Sequence, residues 1–215
     1  MSLKYKIVEV KPRIFFLDFK RQYDMCMMFL RYQEYYESSS SKFRDKSFTI
    51  IDFMEWYSYK YANGIFSYTK DWSGFNISAN IISNVLTKHG PIKDYNKYDV
   101  EMGKVYAKCI KKYPDEKFYI IGAVGVEGAM KHEIAHGTFF INPEYKKKMT
   151  KLVENLKPAF RNRMFEDFKK IGYAKKVYID ECQAYLATGL TYAFKGEFKR
   201  ERKAFIEVYE EYYNN

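Results

Sequence analysis

Cysteine is scarce in this chain: Cys26, Cys109 and Cys182 are odd in number and far apart, with no C-x-x-C pair among them. That excludes a disulfide framework of the kind that holds small secreted domains together, and a reducing, cytoplasmic setting is expected. Long hydrophobic runs are also missing. No stretch approaches the ~18 uninterrupted apolar residues of a membrane span, and Met1 to Val10 lack the apolar centre of a signal peptide, so no membrane association is expected. Acidic residues are outnumbered, 27 against 37 Lys and Arg, for a formal charge of +10. The excess is dispersed in short runs such as Lys146 to Lys148 and Lys199 to Lys203 and forms no basic arm, so nucleic acid is not the expected partner. Internal repeats are absent, and the only low-complexity segment is Ser38 to Ser41. Histidine occurs three times in 215 residues.

What is present argues for a folded, aromatic-rich protein. Apolar residues make up 47% of the chain and aromatics 20%, with 22 Tyr and 18 Phe, a composition that excludes intrinsic disorder. The length suits one folded unit spanning residues 1–215; any subdivision would set an N-terminal lobe at 1–95 against a motif-bearing portion at 96–215. The patterning predicts an α+β protein, mostly helical. Lys4 to Val10 and Arg13 to Phe19 read as strands separated by Pro12, and Phe118 to Val124 as a further strand. Helices are expected from about Arg21 to the serine run, after Thr49, from Ser78 to Lys88 and from Tyr98 to Tyr113. Later ones run over Glu144 to Asn155, Pro158 to Ile171, Tyr178 to Thr188 and Gly196 to Tyr213, with Gly172 and Gly189 as stops. Phe66 to Asn76 reads as irregular, its aromatics either plugging the core or walling a cleft. On the first helix, Glu34 and Glu37 lie three apart and could face the site, with a solvated helix face as the default reading.

Two of the three histidines fall in Lys131-His132-Glu133-Ile134-Ala135-His136-Gly137. Four-residue spacing on a helix points both imidazoles the same way, so both can hold one Zn²⁺ while Glu133 reaches a water on the metal. The strand Phe118 to Val124 leads into this helix, which Asn142-Pro143 ends by starting another. Val126, Ala129, Met130, Glu133, Gly137 and Phe140 share one inward stripe, so Glu133 should lie among apolar neighbours, which raises a carboxylate's pKa and suits a proton shuttle.

A catalytic zinc usually has three protein ligands, and Glu181 is the preferred third. It lies within one turn of Tyr178, Ala184 and Tyr185 on a face otherwise apolar or small, where a carboxylate needs a cation. Asp180 points about a quarter turn away and suits a helix cap or an acceptor for an imidazole N–H. Glu144, which begins the next helix, and His89, beside a Gly-Pro turn, are weaker candidates. Cys109 or Cys182 is the candidate for a fourth protein ligand, which would signal a structural rather than a catalytic site.

His132, Glu133 and His136, with Glu181 on a later helix, resemble the zincin metallopeptidases, and specifically the gluzincin branch. The resemblance covers the motif helix, the strand before it and the Glu181 helix, and leaves the first hundred residues without a counterpart. It implies a zincin-like core with a small β-sheet next to the motif helix, Zn²⁺ as cofactor, a peptide or protein substrate, and peptide-bond hydrolysis with Glu133 as base. It also implies an edge strand that pairs with the substrate, a place that Phe118 to Val124 fills by order. The metzincin pattern is not met, because Phe139 and Asn142 stand where that branch has Gly and a ligand His. Gluzincins usually add a Tyr or His donor for the tetrahedral intermediate. Tyr185, Tyr178 and Tyr173 are candidates, with Tyr185 preferred because it shares the Glu181 face. The competing expectation is a non-catalytic, metal-stabilised protein of the same shape acting through a protein partner or, less readily, a nucleic acid.

Overall fold

The computed structural model describes residues 3–61, 63–88, 94–115, 117–124, 128–189 and 198–214. β1 (Tyr5–Lys11) and β2 (Ile14–Phe19) form an antiparallel hairpin in which Lys11 pairs with Ile14 and Arg13 takes a left-handed φ of 69°. α1 (Gln22–Glu37) and α2 (Ile50–Tyr61) follow, then a single turn, α3 (Tyr68–Asp71), and β3 (Gly74–Ser78). α4 (Ala79–Thr87), α5 (Lys97–Lys112) and β4 (Tyr119–Ala123) lead to the motif helix α6 (Ala129–Ile141). The chain continues through α7 (Pro143–Glu154), α8 (Pro158–Ile171), α9 (Tyr178–Thr188) and α10 (Lys199–Tyr213). The fold is thus α+β and mostly helical, with one small mixed sheet. Among the described residues no helix is long and apolar enough to cross a membrane.

Strand order is β1-β2-β4-β3, with β2 and β4 parallel and β3 and β4 antiparallel. This corrects the expectation that the strand before the motif helix lies at the edge. β4 has a neighbour on each side, and all five of its residues are buried, as its unbroken apolar run requires. The edge belongs to β3, which falls in the stretch read as irregular. Gly74 and Asn76 lower its strand propensity, and the ladder to β4 supplies the order that the local sequence does not.

Alternation along the strands divides the molecule. Phe15, Leu17, Phe75, Ile77 and Ile120 join the core built around α1, whereas Ile14, Tyr119 and Ile121 pack against Ile134 of α6. Glycine lets the backbones come together: a Cβ at Gly137 on α6 would lie 2.9 Å from Ile14 Cδ1. A second core links α6 to the later helices through Ala135, Tyr145, Met149, Met164, Phe168 and Phe205. α9 packs directly on α6, which brings its first turn to the motif.

Helix ends follow their local chemistry. Asn142 Oδ1 accepts from the backbone N–H of Glu144 and Tyr145, and Pro143 starts α7 at a position whose N–H has no helical partner. Gly172 and Gly189 close α8 and α9 in the left-handed conformation. The expected helix start at Gly196 and the surface position of His89 lie outside the described residues.

Candidate metal centre

α6 turns His132 and His136 toward one point, with their Nε2 atoms 3.2 Å apart and the residues 4% and 2% exposed. Glu181, in the first turn of α9, brings Oε2 to 3.9 Å from His132 Nε2 and 3.7 Å from His136 Nε2. One ligand atom from each of the three falls within 4.8 Å of the others. Tetrahedral zinc with bonds of about 2.0–2.1 Å sets neighbouring ligand atoms about 3.3 Å apart, so the group needs only a small contraction to grip an ion.

The outer nitrogens of both rings are held. Thr188 Oγ1 donates to Ala184 O at 2.7 Å, which leaves its lone pairs to accept from His132 Nδ1 at 3.2 Å. His136 Nδ1 lies 2.9 Å from Asp180 Oδ1, in ion-pair contact but off the N–H axis. Asp180 in turn accepts from Gln183, and Gln183 from Tyr145. With protons on both Nδ1 atoms, two Nε2 lone pairs face each other and the buried, unpartnered Glu181 Oε2. In that tautomer three acceptors have no donor between them and call for a positive charge, which a proton on His136 or a divalent metal in its place supplies, so the residues fit a metal.

The electrostatics agree. Burial disfavours charge on both histidines, and the neighbouring His136 holds His132 further below its ordinary range. At His136 the adjacent Asp180 and Glu181 outweigh burial and lift the imidazole to about 10. Burial raises Glu181 well above the usual carboxylate range; His136 opposes the rise, while Glu37, Asp180 and Glu133 add to it. Negative charge is in surplus here.

Glu133 is buried beside the ligands, and burial pushes its carboxyl up to about 7, against the opposing pull of His136 and a hydrogen bond from Asn76. Asn76 Nδ2 donates to Glu133 Oε2 at 2.8 Å, and Tyr119 O–H donates to Asn76 Oδ1 at 2.5 Å. Gly74 faces the same carboxylate so closely that a Cβ there would sit 2.2 Å from Oε1. Neither β3 residue stands out in the sequence, because the only signal is a Gly and an Asn alternating in a short segment.

The cavity over these groups measures about 40 Å³, which is room for an ion with a water or two. Its lining includes Gln33, Glu34 and Glu37 of α1 and Trp72 of the loop before β3. Of the two readings of Glu34 and Glu37, the site-facing one holds and the default solvated face gives way. The residues keep some exposed surface, yet their carboxyls are enclosed, and burial raises Glu34 to about 7 and Glu37 to about 8. In the segment read as irregular, both readings hold: Phe75 is buried core, and Trp72 is a cavity wall.

Of the three candidate tyrosines, Tyr173 lines the cavity. Tyr185 lies with its ring 4.5 Å from that of His132 and its hydroxyl 3.1 Å from that of Tyr173. Tyr178 packs on Phe165 and Phe168 in the second core. Glu144 is exposed on the first turn of α7. The three cysteines are free and buried, Cys109 in the first core and Cys182 against Met164 in the second. Among the described residues the candidate metal group has three members.

A wider pocket of about 350 Å³ adjoins the centre through Asp180 and Tyr119 and is also lined by Ile77, Ser78, Phe139 and Lys146. No family model, no curated protein and no solved structure matches the chain.

Proposed function

We propose that this chain is a zinc-dependent peptide-bond hydrolase of the zincin type, with the gluzincin-like ligand set His132, His136 and Glu181. The observation that carries the reading is the convergence of a buried three-residue metal group with a proton-accepting carboxylate, Glu133, poised near neutrality. Three protein ligands leave a fourth position for water or substrate, which is the catalytic rather than the structural arrangement.

Zn²⁺ held by His132, His136 and Glu181 would supply Lewis acidity. Glu133 would take the proton from the attacking water and pass it to the departing amine, with Asn76 holding its carboxylate in place. A carboxyl near 7 suits both halves of the task. Tyr173, held hydroxyl to hydroxyl by Tyr185, stands in the lining as hydrogen-bond donor to the developing oxyanion, so the preferred Tyr185 acts through it. The substrate-pairing strand is β3, which has an unpaired side among the described residues and carries Gly74 and Asn76 against the base. The adjoining pocket, bordered by Ile77 and Ser78 of the same strand, takes a substrate side chain.

The test is metal analysis of the purified protein followed by incubation of the zinc-loaded form with an unbiased peptide mixture. Cleavage that disappears in Glu133→Gln while zinc stays bound supports the reading. Stoichiometric zinc with no cleavage points instead to a non-catalytic metal protein. Full cleavage by Glu133→Gln would sink the mechanism.

A further inference from the structure

The wider pocket beside the centre has apolar walls but is edged by ammonium groups. Lys146 of α7 and Lys176, in the single turn before α9, both line it, and each head is held over a ring that lines it too. Lys146 Nζ lies 5.2 Å from the centroid of Phe139, and Lys176 Nζ 4.2 Å from that of Tyr36, so the rings fix both charges at the pocket. Neither charge is well compensated. Among the described residues Lys146 has no ion pair, and Lys176 reaches only Asp45, at 3.6 Å, whose side chain is 63% exposed. Burial holds the Lys176 ammonium below the usual lysine range, against the pull of Asp45. Asp180, the one acid among the described lining residues, is engaged with His136 and Gln183. The surrounding sequence adds to the imbalance: from Pro143 to Lys176 eleven Lys and Arg stand against four Asp and Glu, while the rest of the chain is nearly balanced.

We propose that this pocket selects a substrate residue with an acidic side chain, read by Lys146 and Lys176. The proposal rests on the hydrolase reading and names the substrate class of that same site. Ile77, Phe139 and Val177 offer apolar surface to the methylene stem, and the two lysines meet the carboxylate at its end. An uncharged residue would cover two ammonium heads without pairing them, and a lysine or arginine would meet like charge. A chain-terminal carboxylate fits less well, since it brings the charge without a stem to fill the apolar walls. Tyr119 lines the pocket and also donates to Asn76, which holds Glu133, so the seated residue lies beside the bond that is cut.

The direct test is calorimetric titration at pH 7 with 4-phenylbutyrate, and with 4-phenylbutanol as its uncharged counterpart, against zinc-loaded and zinc-free protein. The acid should bind about tenfold tighter than the alcohol with or without zinc, and Lys146→Met and Lys176→Met should each weaken it about threefold with zinc content unchanged. Lys146→Glu combined with Lys176→Glu should turn the preference toward 4-phenylbutylamine. Equal binding of acid and alcohol, binding of neither, or acid binding that ignores both lysines and vanishes on zinc removal overturns the proposal. Cleavage is read separately, on N-acetylated, C-amidated peptide pools that differ only in carrying Glu or Gln. Glu should be enriched next to the cut bond, and the enrichment should disappear when Lys146→Met and Lys176→Met are combined. Cleavage with no preference for Glu keeps the hydrolase and refutes the acidic-residue pocket; lysine-dependent binding of the acid with no cleavage of any peptide supports the pocket and removes the hydrolase. A preference confined to peptides with a free terminal carboxylate would overturn the side-chain reading.

Discussion

α1 carries two buried charge clusters one helical turn apart, and they have opposite character. Arg31, 4% exposed, donates from Nε to Asp99 Oδ1 at 2.9 Å, from Nη2 to Asp94 Oδ1 at 2.8 Å and from Nη1 to Phe48 O at 2.6 Å. Asp99 also completes the capping box of α5 with Asn96. Every charge in that cluster has a partner. Glu34 and Glu37, the next turn along, have no cation among the described residues and face more carboxylates across the cavity. In the first cluster charge meets charge and ties elements together; in the second the carboxyls are held by neutral donors, Ser38 and Tyr68 for Glu34 and Gln33 for Glu37, and burial raises both.

The contrast can be broken at several points. Removing the base has the largest expected effect: Glu133→Gln should lower peptide hydrolysis by about 10²–10⁴ while stability stays level or rises, since it neutralises a buried carboxylate. Turnover and thermal melting measured on one preparation check both halves. Next comes the balanced cluster. Arg31→Met should cost about 3–5 kcal/mol of unfolding free energy in urea titrations, because Asp99 is left buried and uncompensated, while zinc stoichiometry in the folded fraction holds. A loss under 1 kcal/mol would erase the distinction drawn between the two clusters.

A smaller effect is expected one contact away from the metal. Asp180→Asn should weaken zinc by about 10–100-fold in competition with a chelator, as it removes the charge beside His136 Nδ1 without touching a ligand. The smallest effect concerns Glu34, whose folded-state pKa of about 7 lies above the ordinary 4.5 because of burial. A raised carboxyl pKa means the folded chain holds the proton more tightly than the unfolded one. Its contribution is complete below about 4.5 and lost as pH rises to about 7. Glu34→Gln should therefore stabilise the metal-free protein by about 1–2 kcal/mol at pH 8 and by almost nothing at pH 4, with partial exposure trimming the gain. Melting curves at the two pH values would reverse the argument if the gain were equal at both.

The same contrast explains what could be read from the sequence. The motif helix, its stop at Asn142 and the helix of Glu181 were legible because each rests on a local rule: four-residue spacing, an Asn-Pro cap, and one acid on an apolar face. The α1 side of the cavity was open to two readings. Its helix mixes Arg31, Gln33, Glu34 and Glu37 among aromatics, and a polar residue on a helix reads as solvated unless one knows what packs over it. The edge role passed from β4 to β3 for a related reason. Chain order names the strand before the motif helix, but which strands flank it is decided by pairing across more than forty residues, Asn76 with Ile121 for instance, and sequence periodicity does not see that distance.

Gly74 offers a practical handle. A methyl group at that position claims the volume of the Glu133 carboxylate, and its three nearest neighbours all belong to that side chain. Gly74→Ala should therefore yield a protein that keeps its metal but carries a misaimed base. Such a chain would hold its natural substrate without cutting it, and could be used to recover that substrate from a cell extract.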